Sequence, residues 1–175
     1  MRLFTLLTGI LLLSAGCESK PDEQRKNISL YYDLKGYFKK EADRLNSKNP
    51  IVRKMVSVND SPETRSLKIP DWKKELSVIS DADINKTSWR GAFSMRKNKN
   101  VEVYTSDDKK IHVKQVTINY RNGKPSGFLI LIRNSNTLYT STDSISYYPD
   151  SLYRIIKTQD IRLLSKKKYT VKIAF

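Results

Sequence analysis

From Thr87 to the C-terminus the apolar residues fall into a two-residue period, and this constrains the fold more than any other feature of the chain. Trp89, Gly91, Phe93 and Met95 would point one way, and Arg90, Ser94 and Arg96 the other, as successive side chains do on a strand. Val101–Thr105 continues the pattern. Ile111–Arg121 slips phase, because Ile111 and Val113 share one face while Val116, Ile118 and Tyr120 share the other. A bulge near Lys114 and Gln115 would reconcile them. Asn122-Gly123 is a hairpin signal. Phe128–Ile132 is apolar at every position, which predicts a central strand covered on both faces. Strands are further predicted at Leu138–Thr142, Ile145–Tyr148 and Lys168–Phe175, with Asp143-Ser144 between the first two. Leu152–Leu164 fits either period; its β-branched content favours a strand at Tyr153–Gln159.

The N-terminal half reads differently. Leu30, Leu34, Phe38, Ala42 and Leu45 form one stripe at helical spacing, so Ser29–Ser47 is predicted helical, ended by Asn46–Pro50. Lys54–Val58 and Thr64–Ile69 read as a short hairpin around Asn59–Glu63. A second helix should open at Asp71 and run to about Ala82, with Trp72, Leu76, Ile79 and Asp83 on one face. Segregated helices and strands imply an α+β domain over 29–175: two helices packed on a curled antiparallel sheet of six or seven strands, plus the short hairpin.

The first seventeen residues are an address. Arg2 supplies positive charge, Leu3–Leu13 an apolar run too short to span a bilayer, and Ser14-Ala-Gly16 small residues before the single cysteine, Cys17. This resembles the signal peptide and lipobox of bacterial lipoproteins, although Ser14 stands where the commonest lipobox carries Leu. The resemblance implies cleavage before Cys17, leaving 1–16 as signal peptide. It also implies lipid on Cys17 and an envelope location, anchored in the outer membrane. Residues 17–28 are polar and read as a flexible tether. With Cys17 acylated, no disulfide or thiolate metal site remains.

The net charge of +15 is spread along the chain. Nucleic-acid binders concentrate it on one element, so the expected partners are the membrane and an amphiphile or an anionic envelope polymer, with no nucleic acid. No cofactor and no catalytic residues are indicated. His112 is the only histidine, no Gly-x-Ser-x-Gly occurs, and Asp107-Asp108 reads as turn chemistry. Hydrolysis would require Glu75, Glu102, Asp143, Asp150 and Asp160 to converge in space. The tyrosines, ten in all, suit either packing or ligand contact. The order of elements also resembles, at the level of architecture, the half-barrels of lipoprotein carriers. That likeness implies an apolar hollow between sheet and helices. Trp72, Trp89 and Phe93 are then the candidate lining, and Arg90 and Arg96 the candidate rim for an anionic head group. The expected function is a binding or assembly module of the envelope; the alternative is a purely structural surface lipoprotein.

Overall fold

The computed structural model describes residues 30–175. The signal peptide, Cys17 and the tether at 17–28 lie outside the described residues. One antiparallel sheet dominates: β1 (Ile51–Val58), β2 (Ser61–Lys68), β3 (Ser94–Lys97), β4 (Val101–Thr105), β5 (Val113–Arg121), β6 (Lys124–Ser135), β7 (Tyr139–Tyr148), β8 (Leu152–Ile161) and β9 (Lys167–Ala174). Their order is β2-β1-β9-β8-β7-β6-β5-β4-β3. Three short helices lie on one face: α1 (Leu34–Lys48), α2 (Trp72–Glu75) and α3 (Ser77–Asp81). The described residues are therefore mostly β. Two helices on a six- or seven-stranded sheet is not the architecture, and there is no separate hairpin. The last strand, β9, inserts between β1 and β8 and fuses the hairpin to the meander, a pairing between residues more than a hundred positions apart.

Local chemistry explains where elements start and stop. α1 begins at Leu34 rather than Ser29 because Asp33 caps it, its carboxylate accepting the Gly36 N–H at 2.8 Å. Tyr31 and Tyr32 are held outside the helix by Asn85, which accepts the Tyr31 N–H at 3.0 Å and donates to the Tyr32 carbonyl at 3.0 Å. Asn49, left-handed at φ 44°, ends α1 ahead of Pro50. The second predicted helix is broken in two at Leu76, whose ψ of 3° leaves helical geometry. The predicted strand at Trp89–Met95 shrinks to Ser94–Lys97: Thr87–Trp89 forms a tight 3-10 turn and Gly91 takes φ 76°.

In the sheet, Val113 faces Ile132 and Gln115 faces Leu131, so Lys114 is the extra residue of the expected bulge. Asn122 and Gly123, at φ 52° and 73°, make the β5–β6 turn. Asp143 and Ser144 do not interrupt anything; β7 runs straight through them. Leu152–Ile161 is a strand.

Phe128–Ile132 lies near the middle of the sheet but is covered on one face only. Phe128 and Ile130 are buried under the helices, whereas Leu129 and Leu131 remain 37% and 38% exposed. The core is one cluster beneath α1–α3: Leu34, Phe38, Leu45, Trp72 and Ile79 from the helices against Val116, Ile118, Phe128, Ile145, Tyr147, Tyr153 and Ile173 from the strands. Among the described residues, 30–175, the helices and strands share this one buried cluster, so the segment carries a core of its own.

Candidate functional site: an uncovered trough beside the helices

The helices cover only part of the face they lie on. Strand register defines the rest. Ile155 pairs with Val171, Val171 with Val56, and Val56 with Glu63, giving one row across β8, β9, β1 and β2. The next row runs Lys157–Tyr169–Val58–Ser61. These side chains lie on the same face as buried Tyr153 and Ile173, two residues away along their strands. Yet Val56 and Val58 are 43% and 44% exposed, and Val78 on α3 is 36% exposed. An apolar floor is thus left open beside the helices.

Two hollows follow that floor. One, of about 330 Å³, lies between the α2–α3 segment and the sheet, bounded by Ile69, Pro70, Val78, Ile155 and Val171 with Lys74 at its side. The other, of about 380 Å³, continues towards the β2 edge over Val56 and Leu67, with Glu63 and Arg65. Lys54 borders both. Each falls in the size range of small-molecule sites. The wall between helix and sheet is pinned by Lys54, which donates to both carboxylate oxygens of Glu75 at 2.8 and 2.9 Å. The Tyr153 hydroxyl donates to the Glu75 carbonyl at 3.1 Å. Burial, then the Glu75 charge, raises the Tyr153 pKa above its ordinary value, so the hydroxyl keeps the proton it donates. At the far end Lys157 and Asp143 pair at 3.6 Å. The arrangement is an apolar floor between charged edges, with groups suited to contact rather than to bond-making.

The residues singled out in the sequence fall elsewhere. Trp72 is fully buried and stacks on Phe175 at 5.4 Å. Phe93 is buried edge-on to Tyr31 at 5.5 Å. Trp89 is half-buried, tilted against Phe93 at 6.2 Å, with the Lys86 ammonium 4.4 Å above its ring. None of the three borders either hollow. Arg90 is exposed beyond the 3-10 turn. Arg96 projects from the opposite face, since Met95 pairs with buried Tyr104 and Arg96 with Val103. The trough residues were missed in the sequence, where only the shared parity of Val56 and Val58 hinted at them.

The carboxylates are dispersed. Glu75 pairs with Lys54, Asp143 with Lys157, and Asp150 with Lys48 at 2.7 Å. Glu102, buried on β4, pairs with Lys97 and accepts the Tyr104 hydroxyl at 2.9 Å. Burial would raise its pKa, but the hydrogen bonds from Lys97, Tyr104 and Tyr120 outweigh that and lower it. Among the described residues no three His, Cys, Asp or Glu side chains cluster for a metal ion, and no helix is long and apolar enough to cross a membrane.

No protein-family model matches the chain, and neither a curated protein nor a solved structure is significantly similar to it.

Proposed function

We propose that this chain is an envelope lipoprotein, anchored through Cys17, whose domain binds the acyl chain of an amphiphile in the trough beside α2 and α3. The observation that carries the reading is the row Ile155–Val171–Val56, an apolar stripe on the core face of the sheet that the helices cover only in part: Ile155 and Val171 are half-buried and Val56 is exposed. Apolar surface of this kind gains roughly 25 cal/mol for each Å² removed from water, and an alkyl chain laid along the row would remove it. Lys74 and Arg65, at the two ends, suit an anionic head group. The competing reading, a purely structural surface lipoprotein, draws on the dense packing under α1, where Phe38 touches both Phe128 and Tyr147 at ring separations of 5.0 and 5.1 Å.

Titration of residues 30–175 with a fluorescent fatty acid separates the two. Saturable binding that is lost in Val56→Asp and in Val171→Asp is expected; a linear, unsaturated response would leave the structural reading standing. The anchor is tested apart from the trough. Cys17→Ser in the full chain should abolish labelling by radioactive palmitate and release the protein from membranes, and retained labelling would exclude Cys17 as the acyl site.

A further inference from the structure

The sheet's other face carries no helix among the described residues, and its register aligns side chains across its entire width. One row runs Thr64–Met55–Lys172–Arg154–Ser146–Leu129–Thr117–Val103–Arg96 and crosses all nine strands. Beside it runs Pro62–Ser57–Thr170–Ile156–Ser144–Leu131–Gln115–Thr105–Ser94, again through every strand. Neither row contains a carboxylate. The first carries three cations, and two of them, Lys172 and Arg154, stand directly opposite each other. Like charges in that position repel. Arg53, two residues from Met55 on the same face, shares a shallow hollow with Lys172. Arg133, paired with Thr142, adds another cation on this face. Among the described residues no carboxylate ion-pairs with Arg53, Arg96, Arg133, Arg154 or Lys172. On β8 the first carboxylate reached on this side is Asp160, near the strand's end. Between the cations lie hydroxyls and the half-exposed Leu129 and Leu131.

We infer that this open face is a docking surface for the phosphate-bearing headgroup plane of an anionic lipid bilayer. The charge is complementary and comes from five strands, β1, β9, β8, β6 and β3, which span about 34 Å at about 4.8 Å per strand, an extended layout that matches a charged plane and not a point ligand. Leucines interspersed with cations suit an interface in which apolar side chains enter the headgroup layer while cations stay with phosphate. Single-stranded nucleic acids, which are also extended polyanions, are held on aromatic platforms, and duplexes are read by an element that enters a groove, which a sheet face does not supply. Here the strands offer Tyr148 alone, and its ring lies against Gly127, with Cδ1 2.9 Å from where a Cβ would stand. A second copy of this chain would oppose cations to cations. This surface is built from residues other than Cys17, the tether and the trough.

The experiment is co-sedimentation of residues 30–175 with vesicles of phosphatidylcholine alone and of phosphatidylcholine mixed with phosphatidylglycerol. Binding to the mixed vesicles only, weakening as salt rises, is expected. Arg154→Gln with Lys172→Gln should weaken it by about fivefold per side chain removed, about 25-fold together. Lys39→Gln with Lys40→Gln on α1 removes the same charge from the helix side and should leave binding within about twofold of the unmodified domain. Because the first pair also relieves the Lys172–Arg154 repulsion, its melting temperature should match or exceed that of the unmodified domain, so weaker binding would not reflect unfolding. Equal loss in both double variants, equal binding to neutral vesicles, or tighter binding to single-stranded DNA or polyuronate than to the mixed vesicles would overturn the assignment.

Discussion

The Tyr147 hydroxyl on β7 donates a hydrogen bond to the Glu41 carboxylate on α1, and both groups are buried. Glu41 also accepts two bonds from Arg44, each at 2.8 Å, and Arg44 reaches on to Asp150 at 3.2 Å. A buried carboxylate is costly unless its lone pairs are filled; here they are, and the same bonds lock α1 to the sheet. Burial, with the Glu41 hydrogen bond next, holds the Tyr147 pKa far above its ordinary value.

Removing that hydroxyl should loosen the lock. Tyr147→Phe is expected to cost about 1–3 kcal/mol, read as a lower urea midpoint with an unchanged slope. In a double-mutant cycle with Glu41→Gln the two changes should be non-additive; additive losses would mean the bond contributes nothing beyond packing.

The two faces of β6 should respond differently to truncation. Ile130, 2% exposed and facing the helices, should lose about 2–5 kcal/mol on substitution by Ala. Leu131, 38% exposed on the open face, should lose less than about 1 kcal/mol on the same change. Comparable losses would require a second layer over the open face.

Alkaline pH should unfold the domain through its tyrosines. Burial, then the Glu41 charge, pushes Tyr37 up to about 12, and burial, then the Glu102 hydrogen bond, does the same for Tyr104. The ordinary value is 10.0, so the unfolded chain gives up these protons first. Their contribution is therefore complete below pH 10 and is lost as pH rises towards about 12. Phenolate absorbance should appear together with loss of the far-ultraviolet strand signal, and in Tyr104→Phe the fall in stability between pH 10 and about 12 should be shallower. Phenolate forming at its ordinary pH in a fully folded domain would contradict this.

What the amino-acid sequence determined by itself was local. Periods of two located most of the strands, Asn122-Gly123 the β5–β6 turn, and the phase slip in Ile111–Arg121 the β5 bulge, because turn dihedrals and side-chain alternation are set by residues within a few positions. The Leu30–Leu45 stripe marked the buried face of α1 for the same reason, save at Leu30, which lies ahead of the helix and is exposed. Tertiary structure decided everything that depends on pairing across distance. β9 could have joined the sheet at several places, and only its insertion between β8 and β1 aligns Ile155, Val171 and Val56 into one partly covered row. That insertion also puts Lys172 opposite Arg154. An apolar run such as Phe128–Ile132 cannot declare whether one layer or two will cover it, since coverage depends on where the helices dock. Trp72, Trp89 and Phe93 were visible as large apolar side chains, but whether such residues pack or bind is decided by what fills the space beside them, and beside Trp72 it is Phe175.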